Sequence, residues 1–177
     1  WDMFEPGACF GWTLSGSQTI HLWVNINAFS AMILTTPSFT QGAQLRAFGL
    51  KMFKQPLEMD ICHYEVRSKK KSVVQRPSPP WYRISAQEFL TADVCAAAQW
   101  VIHARGLMWD DARTSNDERI QRFLPGKTDL WDGESGLTED RWQLWKERFL
   151  FMADHDDLSL DTQQVARKAS QIMEDIH

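Results

Sequence analysis

Two asparagines set into an otherwise apolar run, Trp23-Val24-Asn25-Ile26-Asn27-Ala28-Phe29, constrain this chain more than any other feature. Wound as a helix at about 100° per residue, the run projects Asn25 between Phe29 and Met32 and Asn27 between Leu34 and Ile20. Neither amide then has a solvated side, and a buried amide needs hydrogen-bond partners from the fold. The run predicts a helix with an apolar circumference, central to its bundle, carrying two polar anchors.

Local signals divide the rest of the chain into helices. Ser17 is placed to cap the first, which runs from about Gln18 to Thr35 and stops before Pro37. A second, from about Thr40 to Lys54, turns Leu45, Phe48, Met52 and Phe53 inward, and Pro56 closes it. Ser85-Ala86-Gln87-Glu88 is a capping box that opens a third helix. That helix continues to about Arg105, with Phe89, Ala96, Ala97, Trp100, Ala104 and Leu107 on its inner arc and Gly106 as its stop. A long connection from Met108 to Gly136 holds one short helical segment, Glu118 to Phe123.

Thr138 caps a fourth helix striped by Trp142, Trp145, Phe149, Met152 and Ala153, with Lys146, Glu147 and Arg148 on the wet side. Ser159 opens a fifth that turns Val165, Ala169, Ile172, Met173 and Ile176 inward. No strand pattern competes and no fixed-period repeat is visible. The expectation is an all-α, single-domain bundle of about five helices over residues 1–177, a length that buries about 70% of the unfolded surface. Residues 1–17 read as an irregular aromatic lead-in. Residues 67–80, from Arg67-Ser68-Lys69-Lys70-Lys71 to Arg76-Pro77-Ser78-Pro79-Pro80, read as a basic, Pro-rich, mobile loop that carries too little apolar area to repay its ordering. A nuclear-import or anionic-surface signal is the second reading of that run.

Composition narrows the function classes. The net charge is -4 and the pI about 5.7, so the chain lacks the electrostatic footprint of a nucleic-acid binder. The apolar window from Leu22 to Leu34 is too short and too interrupted for a bilayer span of about 20 residues. Cys9, Cys62 and Cys95 are odd in number and widely separated, which fits a reducing compartment and no zinc site. Nine tryptophans mark a core of few, bulky contacts. The chain begins at Trp1 without an initiating Met, which reads as a piece of a longer protein.

Several stretches together resemble the fungal family of domain of unknown function 3632 (DUF3632). They are Trp23-Val24-Asn25-Ile26-Asn27-Ala28-Phe29, Ala97-Ala98-Gln99-Trp100-Val101-Ile102-His103-Ala104 and Leu130-Trp131. Arg141-Trp142-Gln143-Leu144-Trp145-Lys146-Glu147-Arg148-Phe149 follows, and then a closing helix ending Met173-Glu174. The resemblance implies a helical fungal protein inside the cell, in cytoplasm or nucleus, and brings no activity, cofactor or catalytic residue.

Candidate site residues come from polar side chains on apolar arcs. Asp93 falls among Ala97, Trp100 and Ala104, where a carboxylate must be paired or must titrate abnormally. Asn25, Asn27 or Arg141 is its expected partner, with Asn25, Asn27 and Asp93 forming one buried network; that network reads first as a structural hydrogen-bond anchor and second as a ligand site of the kind bundles place between helices. His103 borders the same arc, and Trp100 and Trp142 supply aromatic walls. The expected ligand-binding set is thus Asn25, Asn27, Asp93, Trp100, His103, Arg141 and Trp142. Asp110-Asp111, with Asn116, Asp117 and Glu118 beyond, shares two carboxylates with the Mg²⁺ clusters of helical isoprenoid enzymes but lacks the third. Asp154-His155-Asp156-Asp157 lies at a helix end, where exposure is expected.

No metal, no cofactor and no nucleophile follow from these patterns. There is no Gly-x-Ser-x-Gly elbow and no His-Glu-x-x-His, and Cys95 falls within a helix. The leading expectation is a non-enzymatic domain that binds a protein partner or an apolar small molecule. The alternative is a secondary-metabolism enzyme acting on an apolar substrate within the bundle.

Overall fold

The structure, a computed structural model, describes residues 16–37, 42–66, 85–111 and 118–175. Among the described residues, six α-helices of six residues or more follow in order: α1 (Gly16–Leu34), α2 (Gly42–Glu58), α3 (Ala86–Gly106), α4 (Glu118–Phe123), α5 (Glu139–Ala153) and α6 (Leu160–Glu174). A π-helical turn, Leu107–Asp111, continues α3 directly. The described residues contain no strand, only an isolated antiparallel bridge between Lys127 and Asp132. The fold is all-α, as the helix-period stripes require. The lead-in before Gly16 and the basic run from Arg67 lie outside the described residues.

Three helices start where the sequence places their caps. Ser85 accepts from the Glu88 amide at 3.1 Å while Glu88 accepts from the Ser85 amide at 2.7 Å, so two otherwise unpaired helix-end donors are satisfied reciprocally. Thr138 accepts from Arg141 and Ser159 from Thr162 in the same manner.

The central helix is α3, which corrects the expectation for α1. It packs against α1, α2 and α6, and its Ala92, Ala96, Ala97, Ala98 and Ala104 are all buried. Side chains this small let three neighbours approach the α3 backbone at once. By contrast α1 has its principal contact with α3, where Asn27 meets Trp100, and buries Trp23, Asn27, Ala31 and Leu34. On the opposite side of α1, Leu22, Asn25, Phe29 and Met32 are exposed.

Two helix ends also differ from the sequence reading, for tertiary reasons. Pro56 does not close α2; it lies buried inside the last turn, and the helix runs on to Glu58. A proline there removes one backbone bond near an end, and the buried pairing of Glu58 described below holds the turn. Gly106 does not stop α3 in a left-handed conformation, since Gly136 is the one described residue with positive φ. Instead Ala104 departs from helical geometry (φ -134°, ψ 17°) and the chain winds on as a π-turn. Burial of Met108 and Trp109 accounts for this, Trp109 meeting Trp142 with ring centroids 5.0 Å apart.

The core is correspondingly aromatic. Phe53 stacks on Trp145 at 4.9 Å, and Trp142 lies 6.2 Å from each of these two rings. Earlier along α2, Phe48 bridges Trp23 and Trp100 edge-on, at 6.5 and 5.9 Å. Helix α2 crosses here at Gly49, where a Cβ would sit 2.6 Å from the Trp100 ring and 2.9 Å from Met108. A side chain at this crossing would push the helices apart.

Candidate functional site

Three separate polar clusters lie among these apolar layers. The first holds α1 to α3. The Asn27 amide donates to the Trp23 carbonyl at 2.9 Å, and its oxygen accepts from the Trp100 indole N–H, also at 2.9 Å. Both side chains are fully buried. One amide thereby closes a bond within its own helix and another across 73 residues of sequence.

The second cluster pairs Tyr64 with Asp93, the phenol donating to the carboxylate at 3.1 Å. Both are buried. Tyr64 belongs to a short helical stretch, residues 62–66, that follows α2.

The third cluster is the most extensive. Arg141, in the first turn of α5, is fully buried and meets Glu58 in a two-pronged ion pair, Nε to Oε1 at 2.7 Å and Nη2 to Oε2 at 2.8 Å. Trp145, one turn further along α5, donates its indole N–H to the same Oε1 at 2.7 Å. The remaining guanidinium donors reach backbone carbonyls: Nη1 to Gly136 at 2.9 Å and Leu124 at 3.2 Å, Nη2 to Pro125 at 2.9 Å. The Trp131 ring covers the guanidinium from 5.1 Å. A planar five-donor fork suits this role, because it can satisfy a carboxylate and several carbonyls together.

Those carbonyls belong to the connection between α4 and α5, which Arg141 gathers into a compact structure. Gly136 donates to Leu124 at 2.7 Å, Gly133 to Gly126 at 2.9 Å, and Leu130 to the carbonyl of Glu58 at 3.1 Å. Glycine is required at Gly136, where φ is +90°. It is also required at Gly126, where a Cβ would fall 2.7 Å from a carbonyl oxygen. Beside this connection, Asp129 accepts from the Asp60 amide at 2.9 Å and from His63 Nδ1 at 2.7 Å. The Asp60 carboxylate accepts from the Cys62 amide, a bond that holds its pKa below the usual carboxylate value. The same aspartate, as acceptor, pushes the Cys62 thiol up, and burial does so for Cys95. Neither thiol is activated as a nucleophile.

The residues expected to converge are therefore distributed. Asn27 and Trp100 meet; Arg141 and Trp142 stand side by side on α5. Asn27 makes both its bonds to tryptophans and none to Asp93, so a single network of Asn25, Asn27 and Asp93 does not form. Asn25 is exposed, because α3 covers the Asn27 side of α1 and the two residues project some 200° apart. His103 is exposed as well. Trp142 is buried, and its indole N–H has no acceptor among the described residues. No group of three or more His, Cys, Asp or Glu suited to a metal occurs among the described residues.

Glu58, Tyr64 and Trp131 were missed as polar partners. Glu58 gave no local signal: at about 100° per residue it projects some 100° away from Leu50, Phe53 and Leu57 and close to the line of Lys51 and Lys54. Arg148, placed on the wet side of α5, is half-buried, and this desolvation lowers its pKa. It lies over the Phe151 ring at 4.5 Å. Near it, Glu147, Leu150, Phe151 and Asp154 to Asp157 line an open concavity of about 740 Å³ at the α5–α6 turn.

A buried Arg–Glu keystone, an aromatic core and an alanine-rich central helix define a compact helical domain without an assembled catalytic constellation among the described residues. The chain belongs to the protein family of unknown function DUF3632, whose model matches residues 1–149. No curated protein and no solved structure matches it. No helix among the described residues is long and apolar enough to cross a membrane.

Proposed function

We propose that this is a non-enzymatic interaction domain, a helical frame that works through its outer surface. The observation that carries this reading is on α1: Leu22, Phe29 and Met32 stand exposed on one side, with Asn25 among them. The polar groups inside support it too. Asn27 serves Trp23 and Trp100, and Arg141 serves Glu58 and the connection before α5, so these groups hold the frame together. On this reading Asn25 belongs to the contact surface, while Asn27, Asp93, Trp100, Arg141 and Trp142 are its support.

Melting of the full chain against apolar small molecules tests the proposal. A ligand that bound only the folded chain, at 100 times its Kd, would add about 2.7 kcal/mol and raise the melting temperature measurably. No saturable shift is expected. A shift abolished by Trp100→Phe or Asp93→Asn would overturn the reading and favour an enzyme or binder of apolar molecules within the bundle. The buried indole N–H groups of Trp23 and Trp142, neither with an acceptor among the described residues, are the observations on that side, and the same experiment reads them.

A further inference from the structure

The concavity of about 740 Å³ at the α5–α6 turn joins two kinds of surface, the apolar Leu150 and Phe151 and the acidic Glu147, Asp154, Asp156 and Asp157. Helix spacing brings Glu147, Leu150, Phe151 and Asp154 to one side of α5, and the turn carries the acids on past the helix end. Phe151, 47% exposed, has the Arg148 guanidinium over its ring at 4.5 Å and the His155 ring edge-on at 5.5 Å. The turn is held as well, since the Gln163 amide donates to the carbonyls of His155 and Leu158 at 3.0 and 3.1 Å. The surface is therefore built before any partner arrives.

Its charge is only partly met from within. Glu147 accepts from Gln143 and Asp154 from Arg167, whereas the carboxylates of Asp156 and Asp157 have no partner among the described residues. His155 does not offset them: its Nδ1 accepts from the Asp157 amide at 3.3 Å, so that nitrogen carries no proton and the ring adds no charge.

From this we infer that the concavity is the docking site for a basic segment of another protein, one in which Lys or Arg stands beside a large apolar side chain. The inference rests on the reading of the domain as one that works through its outer surface, and gives it a second surface besides α1. Charge complementarity selects the occupant. Four carboxylates face two cations, Arg167 on Asp154 and Arg148 on Phe151, on a chain of net charge -4. Nucleic acid, an anionic lipid surface or the same face of a second copy is repelled here. The apolar half excludes a bare cation as the full answer, because a polyamine would satisfy the acids and gain nothing from Leu150 and Phe151, each about half exposed. Exposed ion pairs are individually weak, so the Kd is on the order of 10 µM or above.

Fluorescence anisotropy of a labelled synthetic peptide of repeated Lys-Leu-Arg, titrated with the full chain, tests this. Saturable binding is expected, and none to the same peptide with Glu for every Lys and Arg. Asp156→Lys and Phe151→Ser should each weaken it about fivefold or more, while Asp175→Lys, an equal change of charge at the far end of α6, leaves it unchanged. Phe151→Leu keeps an apolar surface without the ring contacts and should retain most of the binding. No saturable binding overturns the inference, as does equal binding of the Glu peptide. Equal losses from Asp156→Lys and Asp175→Lys overturn it too, leaving only the net charge of the chain, and indifference to Phe151→Ser leaves only a site for bare cations. Binding that appears only when Lys69, Lys70 and Lys71 are changed to Gln overturns it in favour of the chain's own basic run as the occupant. A failed titration leaves the small-molecule melting result as it stands, so loss of this site and loss of the interaction reading are separable.

Discussion

The Asn27 and Arg141 clusters are both fully buried and both tie distant parts of the chain together, yet they solve different problems. Asn27 joins two regular helices whose backbone groups are already paired, through one neutral bond to Trp100. Arg141 joins α5 to α2 and also to an irregular connection whose carbonyls have no helix to satisfy them. A neutral amide is enough where only register must be set. Where irregular backbone is brought inside, a five-donor cation and its counter-ion take over the bonding that secondary structure supplies elsewhere.

The sharpest way to break this comparison is Arg141→Met. It leaves the Glu58 carboxylate buried with only Trp145 and strands the carbonyls of Pro125 and Gly136, while the Leu124 carbonyl keeps its bond from the Gly136 amide. Urea unfolding should register a loss of about 3–5 kcal/mol. Adding Glu58→Leu should recover the part owed to the stranded carboxylate but not the part owed to the carbonyls. A loss under about 1 kcal/mol would make the two clusters equivalent.

Asn27→Ala comes next. It removes the acceptor of the Trp100 indole, and the cost should be about 1–3 kcal/mol by the same measurement. Asn25→Ala, two residues away in the same apolar run, should stay within about 0.5 kcal/mol. Equal effects at Asn25 and Asn27 would mean that α1 is covered on both sides.

The smallest expected effect lies at the rim of the Arg141 region, with Asp60. Its folded pKa is below 3.8, so the stability it contributes is complete above that value and is lost as pH falls through the lower folded value. Asp60→Asn should flatten the melting-temperature profile in that acid window and leave it unchanged near neutrality.

What could be read from the sequence was what is encoded locally. Ser85, Thr138 and Ser159 declare their helices because cap and capped amide lie within three residues. The stripe of Trp142, Trp145, Phe149 and Met152 is equally direct, since one helix period determines it. Asn25 was misjudged because an apolar circumference shows that a helix can be covered all round, not which side its neighbour takes; that side is decided by the alanines of α3. Pro56 and Gly106 are reliable helix breakers by themselves, and both were overridden from a distance, by Arg141 on Glu58 and by Trp142 on Trp109. The candidate site suffered most for the same reason, since Glu58–Arg141 spans 83 residues and Asn27–Trp100 spans 73.

That separation of 83 residues between Glu58 and Arg141 also bears on the order of events in folding. Helical proteins fold quickly when their contacts are local, but this ion pair can close only after α2 and α5 have come together. Until then the guanidinium remains hydrated and the connection after α4 has nothing to gather it. Such a contact belongs late on the route, beyond the transition state. Arg141 variants should therefore speed unfolding and leave the folding rate nearly unchanged, so that the keystone governs how long the folded state lasts more than how fast it is reached.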